Sequence, residues 1–176
     1  LPLTAEHGGV LSLIIVSAAG AAITPWDPQQ TNVPYLGWRG EELRLADSVC
    51  TALLYGPTPA GPAIARCREL LERAPGSPMM EAVILSVLAG LEGMTGRFDD
   101  ARATCSRVVR LYEQLELPVF VAVFSAISAP IELAAREPEA AEDELRRGIA
   151  FLRELPNARD AVALRSSLLA VALDEQ

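Results

Sequence analysis

Apolar positions recur at helical spacing from residue 41 to residue 174, in stretches one helix long separated by short breaks carrying Gly or Pro. The pattern predicts seven helices, over 41–55, 61–73, 78–95, 98–115, 118–135, 138–155 and 158–174. Several boundaries carry their own signals. Ser77 followed by Pro78 reads as an N-cap and the residue best tolerated at a first helical position. Gly76 and Gly96 fall just past helix ends, where a left-handed residue is wanted. In the sixth stretch Glu139, Glu142, Asp143 and Glu144 precede Arg146, Arg147 and Arg153, an order that complements the helix dipole. Pro130 falls inside the fifth, where it removes a hydrogen bond and is expected to kink the helix.

The first third of the pattern differs. Residues 8–23 are uncharged but rich in Ala, Gly and Ser, and read as a buried helix, with Ile14-Ile15-Val16 the one place for a strand. The run is short for a membrane span, and Glu6 with no Arg precedes it where a secretory signal wants a basic start, which leaves a signal or anchor as the lesser reading. Pro25, Pro28 and Pro34 then mark a linker. The expected organisation is an apolar segment and Pro-rich linker over 1–37, then one helical domain over 38–176.

The helices repeat. Ala63, Cys67 and Leu70 align with Ala101, Cys105 and Val108, and these with Ala141, Leu145 and Gly148, at offsets of 38 and 40 residues. In each copy a small residue is followed by two further positions on the same face. A helix pair recurring at such an interval is the signature of an α-solenoid, in which neighbouring pairs share one core. The fold expected is all-α, a right-handed α-solenoid of degenerate helix pairs.

Composition narrows the chemistry. The chain has 176 residues, 51% of them hydrophobic and only 5% aromatic, so its apolar mass is aliphatic. All 15 of its cations are Arg, there is one His, and the net charge is −8. Without lysine there is no phosphate-loop lysine and no Schiff base, and with one histidine no two-His zinc motif. The acidic balance, without a basic run, speaks against nucleic acid and against an anionic membrane surface. Cys50, Cys67 and Cys105 sit in apolar helical stretches at no metal-ligand spacing, and read as packing residues of a reducing, cytoplasmic compartment. No metal and no cofactor are expected. Glu81, Glu92 and Glu132 are candidates for acid–base work, weighed against solvated or Arg-paired carboxylates. Trp26 and Trp38 flank the linker and fit a cap over one end of the solenoid; His7 has no assigned role.

Leu85, Ala89, Gly96, Phe98 and Ala101 have the spacing of a tetratricopeptide repeat, with Gly96-Arg97-Phe98-Asp99-Asp100-Ala101-Arg102 as the turn into its second helix. The next copy, from Arg136 to Glu142, lacks both the glycine and the aromatic residue. With Leu54-Tyr55-Gly56-Pro57-Thr58-Pro59 and Ala65-Arg66-Cys67-Arg68-Glu69-Leu70-Leu71, the order of segments over 41–172 resembles one stretch of certain actinobacterial-type proteins. These are class III adenylate/guanylate cyclases with an AAA-type ATPase module and a tetratricopeptide-like region, and related ATPase-type transcriptional regulators. The resemblance implies a piece of the non-catalytic repeat region, truncated at its C-terminal end. Cyclase chemistry needs paired metal-binding aspartates; Asp99-Asp100 sits at a helix start, where a dipole role suffices.

The resemblance also places a concave groove on the first helix of each pair. Its lining would be Leu45, Ser48, Ala52 and Tyr55 from one helix, and Val83, Ser86, Gly90, Gly93 and Met94 from the next. Val123, Ala126, Pro130 and Leu133 would complete it. None is the Lys, Arg or Asn of a peptide-carboxylate clamp, so the groove suits a hydrophobic helix, or these residues are packed core. The function expected is a non-catalytic scaffold for protein or peptide partners or for other domains of the same chain, with homodimers through open solenoid ends. Two alternatives stand beside it: a chain named adenylate/guanylate cyclase for its parent protein, and a stand-alone scaffold for a small hydrophobic effector.

Overall fold

The computed structural model of the chain describes residues 49–73, 76–155 and 158–175. Described residues in regular structure are all helical. The first helix, α1, is seen over 49–55, and it is followed by α2 (Ala60–Arg73), α3 (Pro78–Met94), α4 (Phe98–Gln114), α5 (Pro118–Ala134), α6 (Pro138–Arg153) and α7 (Arg159–Asp174). From α2 on, each matches a stretch expected from the apolar pattern, with ends within two residues of those expected. The expectations for 1–37, for Leu45 and Ser48, and for the two tryptophans lie outside the described residues.

From α3 to α6 the helices begin at Pro78, Phe98, Pro118 and Pro138, one every 20 residues. The turns between them share one construction. Gly96, Glu116 and Arg136 occupy the same position with φ of 74°, 56° and 63°. Each amide bonds back to a carbonyl three residues earlier, Gly96 to Gly93, Glu116 to Glu113 and Arg136 to Leu133. The next amide closes a wider ring, Arg97 to Glu92, Leu117 to Tyr112 and Glu137 to Glu132, at 2.9–3.0 Å. This left-handed C-cap satisfies the carbonyls that a helix end leaves bare. The turn after α5 therefore keeps the geometry of the turn after α3 although its glycine is replaced by Arg136. Ser77 caps α3 as expected, its Oγ accepting from the Met80 amide, with Pro78 in the first turn. Asp99 and Asp100 lie in the first turn of α4, and α5 runs through Pro130 to Ala134.

Burial alternates along the series. In α3 every residue from 82 to 93 is buried, as befits a helix with apolar residues all round it. By contrast α2, α4 and α6 are amphipathic, burying single stripes: Ala63, Ile64 and Cys67; Ala101, Val108 and Tyr112; Ala141, Leu145, Gly148, Ile149 and Leu152. The all-apolar helix α3 packs against α2, α4 and α5, and α5 in turn against α3, α4, α6 and α7. Small residues set the close approaches. A Cβ on Gly90 would lie 2.9 Å from the Leu54 side chain, and one on Gly93 2.8 Å from Ile131. The core is drawn out along the series. One apolar cluster runs from Cys50 through α3 to Phe124 and Ile131, and others form around Ala129 and Leu145 and around Leu152 and Ala161.

Candidate binding cleft between α4 and α6

Both α4 and α6 lie on α5, but their backbones make no close approach to each other. The space between them is an open cleft of about 870 Å³. Helical periodicity supplies its three walls. Arg102, Cys105, Ser106, Val109 and Glu113 form a stripe along α4; Glu144, Arg147, Gly148 and Phe151 form one along α6; Val121, Ser125, Ser128 and Glu132 face it from α5. One end carries Arg102, Ser128, Glu132 and Glu144; the other, near the α4–α5 turn, sets Leu117, Val121 and Phe151 beside the exposed Glu113 and Glu116.

At the polar end Arg102 holds Glu132 through Nε and Nη2, at 3.0 and 2.6 Å. This is a two-pronged ion pair across helices, and it spends both charges. Glu144 is placed differently. Ser128 donates its hydroxyl to Glu144 Oε2, and among the described residues Glu144 enters no ion pair. Burial pushes the Glu144 carboxyl above its ordinary range and Glu132 adds to the rise, while the Ser128 hydrogen bond and Arg147 oppose it. Burial likewise pushes the Cys105 thiol up to about 12, reinforced by Glu144, Glu132 and Glu92. The thiol therefore stays protonated at neutral pH and is a poor nucleophile.

Beneath the floor lies a buried cation. Arg165 of α7 is 0% exposed and is bonded to oxygens alone. Its Nε donates to Ala122 O and Ser125 Oγ at 3.0 and 2.9 Å, its Nη1 to Ala161 O at 2.8 Å, and its Nη2 to Val123 O. No carboxylate neutralises it among the described residues, and burial lowers its pKa to about 10, which still leaves it charged at neutral pH.

The groove residues expected from the sequence lie elsewhere. Val83, Ser86, Gly90 and Gly93 are packed inside the core, with Ser86 Oγ donating to Ala82 O at 2.8 Å. Val123, Ala126, Pro130 and Leu133 are half-buried on α5. Ala52 is exposed, as are Tyr55 at 58% and Met94 at 64%. None of these lines the cleft. The three glutamates weighed for acid–base work are paired with arginines. Glu81 meets Arg107 at 2.5 Å, and Glu132 meets Arg102. Glu92, 4% exposed, accepts from Thr104 at 2.9 Å with Arg68 and Arg97 at 3.7 and 3.8 Å. Sequence reasoning passed over Arg102, Ser128 and Glu144 as site residues. The available signal was that Arg102 and Glu144 each border the buried stripe of an amphipathic helix.

No protein-family model, curated protein or solved structure matches the chain. Among the described residues there is no cluster of His, Cys, Asp and Glu fit to hold a metal ion, and no helix long and apolar enough to cross a membrane.

Proposed function

We propose that the chain is a non-catalytic helical-repeat scaffold, an α-solenoid of tetratricopeptide-like pairs that presents surfaces to protein partners or to other domains of its own polypeptide. The observation that carries this reading is the 20-residue frame from α3 to α6. Helices packed on both sides alternate with amphipathic ones, joined by turns of one construction. Such a stack extends by adding pairs and leaves clefts between successive outer helices, surfaces suited to elongated partners. The resemblance to the repeat region of cyclase and ATPase-regulator proteins supports a regulatory role in such a signalling protein. The groups at the cleft fit binding better than turnover, since Glu132 is held by Arg102 and the Cys105 thiol is held protonated.

A photo-crosslinking residue in place of Ser106, inside the cleft, or of Asp143, exposed outside it, tests the reading in source cells. A protein adduct, or an internal link to another domain, is expected from the first position and not from the second. Equal adducts at both, or none at either, count against the scaffold. Cyclic-nucleotide formation by the purified chain above background overturns its non-catalytic character.

A further inference from the structure

The charges around the cleft do not balance. Arg102 and Glu132 cancel each other in their two-pronged pair, which leaves Glu113, Glu116 and Glu144 facing Arg147 alone. Of these, Glu144 is half-buried and held by a neutral hydroxyl, so a cation reaching it would gain a charge-assisted bond in a partly desolvated place. Away from Glu144 the wall carries the apolar Val109, Val121, Leu117 and the exposed ring of Phe151, with Glu113 and Glu116 at the far end. The side walls are helices of 17 and 16 residues, about 25 Å long at 1.5 Å per residue. A long groove with helical stripes on both walls fits a helix laid along it.

We propose that the cleft between α4 and α6 receives a cationic amphipathic helix, its apolar face on Val109, Val121 and Phe151 and an Arg or Lys of it reaching Glu144. This rests on the scaffold reading and names the chemistry of the partner. A long basic side chain suits the site because its stem covers apolar wall while its charged end reaches the carboxylate. A second copy of this chain is disfavoured. Its net charge is −8, and the exposed Val171 and Leu173 of α7 are followed by Asp174 and Glu175, which would bring acid against acid.

The test measures binding of labelled fifteen-residue Leu/Ala helices to the full chain by fluorescence anisotropy. The helices carry Arg, Gln or Glu at their polar positions. The Arg helix should bind at least tenfold more tightly than the Gln helix, and the Glu helix should not bind. Glu144→Gln combined with Glu113→Gln should weaken the Arg helix about tenfold, and Ser106→Trp should abolish its binding by filling the cleft. Asp143→Asn, an exposed acid outside the cleft, should leave it unchanged; circular dichroism checks that each variant is folded. Equal weakening by Asp143→Asn overturns the proposal in favour of diffuse attraction. If the Gln helix binds as tightly and Ser106→Trp blocks it, the cation requirement falls while the scaffold reading stands. Binding of octylamine without binding of any helix overturns the proposal in favour of a small amine. Failure of every helix overturns it too, and the crosslinking experiment then judges the scaffold reading separately.

Discussion

Glu144 is the carboxyl most at odds with its surroundings. Cys105 and Arg102 face it from α4, Ser128 and Glu132 from α5, and Arg147 from its own helix. A carboxyl whose pKa is raised by folding lends stability that is fully present below its ordinary pKa and is lost as pH rises through the raised value. Glu144→Gln should therefore raise the melting temperature at pH 8 and not at pH 4, since Ser128 can donate to an amide oxygen as it does to a carboxylate. Parallel pH profiles for the two proteins would show that Glu144 carries no such penalty. The cysteines make a second prediction at this scale. Cys67, buried and pushed up to about 11, should react with a thiol reagent at pH 8 only as fast as the chain opens, and Cys105, half-buried on the cleft wall and pushed up to about 12, far more slowly than an exposed thiol. Labelling of Cys105 as fast as that of an exposed thiol would show that the cleft does not hold its proton.

Single substitutions test how the elements are joined. Glu116 and Arg136 hold left-handed backbone that costs an L-residue about 1–2 kcal/mol, a cost that glycine escapes. Arg136→Gly should therefore stabilise the chain, by about 0.5–1 kcal/mol once glycine's greater unfolded freedom is subtracted, as read by chemical denaturation. A loss would show that the Arg136 side chain matters more than its backbone. Gly148→Ala should do the opposite. Its Cβ would stand 2.6 Å from Ser125 Oγ and 3.0 Å from Ala122 O. Neither can yield easily, because one is backbone and Ser125 Oγ is pinned between Ala122 O and Arg165 Nε. Forcing α6 off α5 should cost about 1–3 kcal/mol. Helix positions were legible because they follow from apolar spacing and punctuation, as at Ser77-Pro78 and Gly96. The turns at Glu116 and Arg136 were not, since the geometry there comes from hydrogen bonds to Tyr112, Glu113, Glu132 and Leu133 rather than from a residue that prefers φ above zero. The cleft was legible only by halves: each wall is an ordinary amphipathic stripe, and the gap appears only when α5 spaces α4 from α6.

At the scale of the molecule, Arg165 ties the last helix to the rest. Nothing in the sequence distinguishes it from the other arginines, because its partners are chiefly main-chain oxygens of α5 and α7, about 40 residues apart. Truncating it leaves a cavity and removes those bonds, so Arg165→Ala should cost about 2–5 kcal/mol. Arg165→Met keeps the stem and deletes a buried, uncompensated charge, and should cost much less or even stabilise. Where the loss is felt decides how the chain is built. In a stack whose helices contact only their neighbours, stability is a sum of local terms, and α7 has α5 and α6 to hold it. Hydrogen exchange of Arg165→Ala should then show α7 amides opening freely while α3 and α4, whose core includes Leu85, Ala89 and Val108, keep their protection. The floor of the cleft at Ser125 should loosen with α7, so the cationic helix should bind Arg165→Ala more weakly than it binds Arg165→Met. If instead α3 and α4 lose protection together with α7, the chain opens as one cooperative unit, and the proposal of a repeat scaffold built from nearest-neighbour pairs fails.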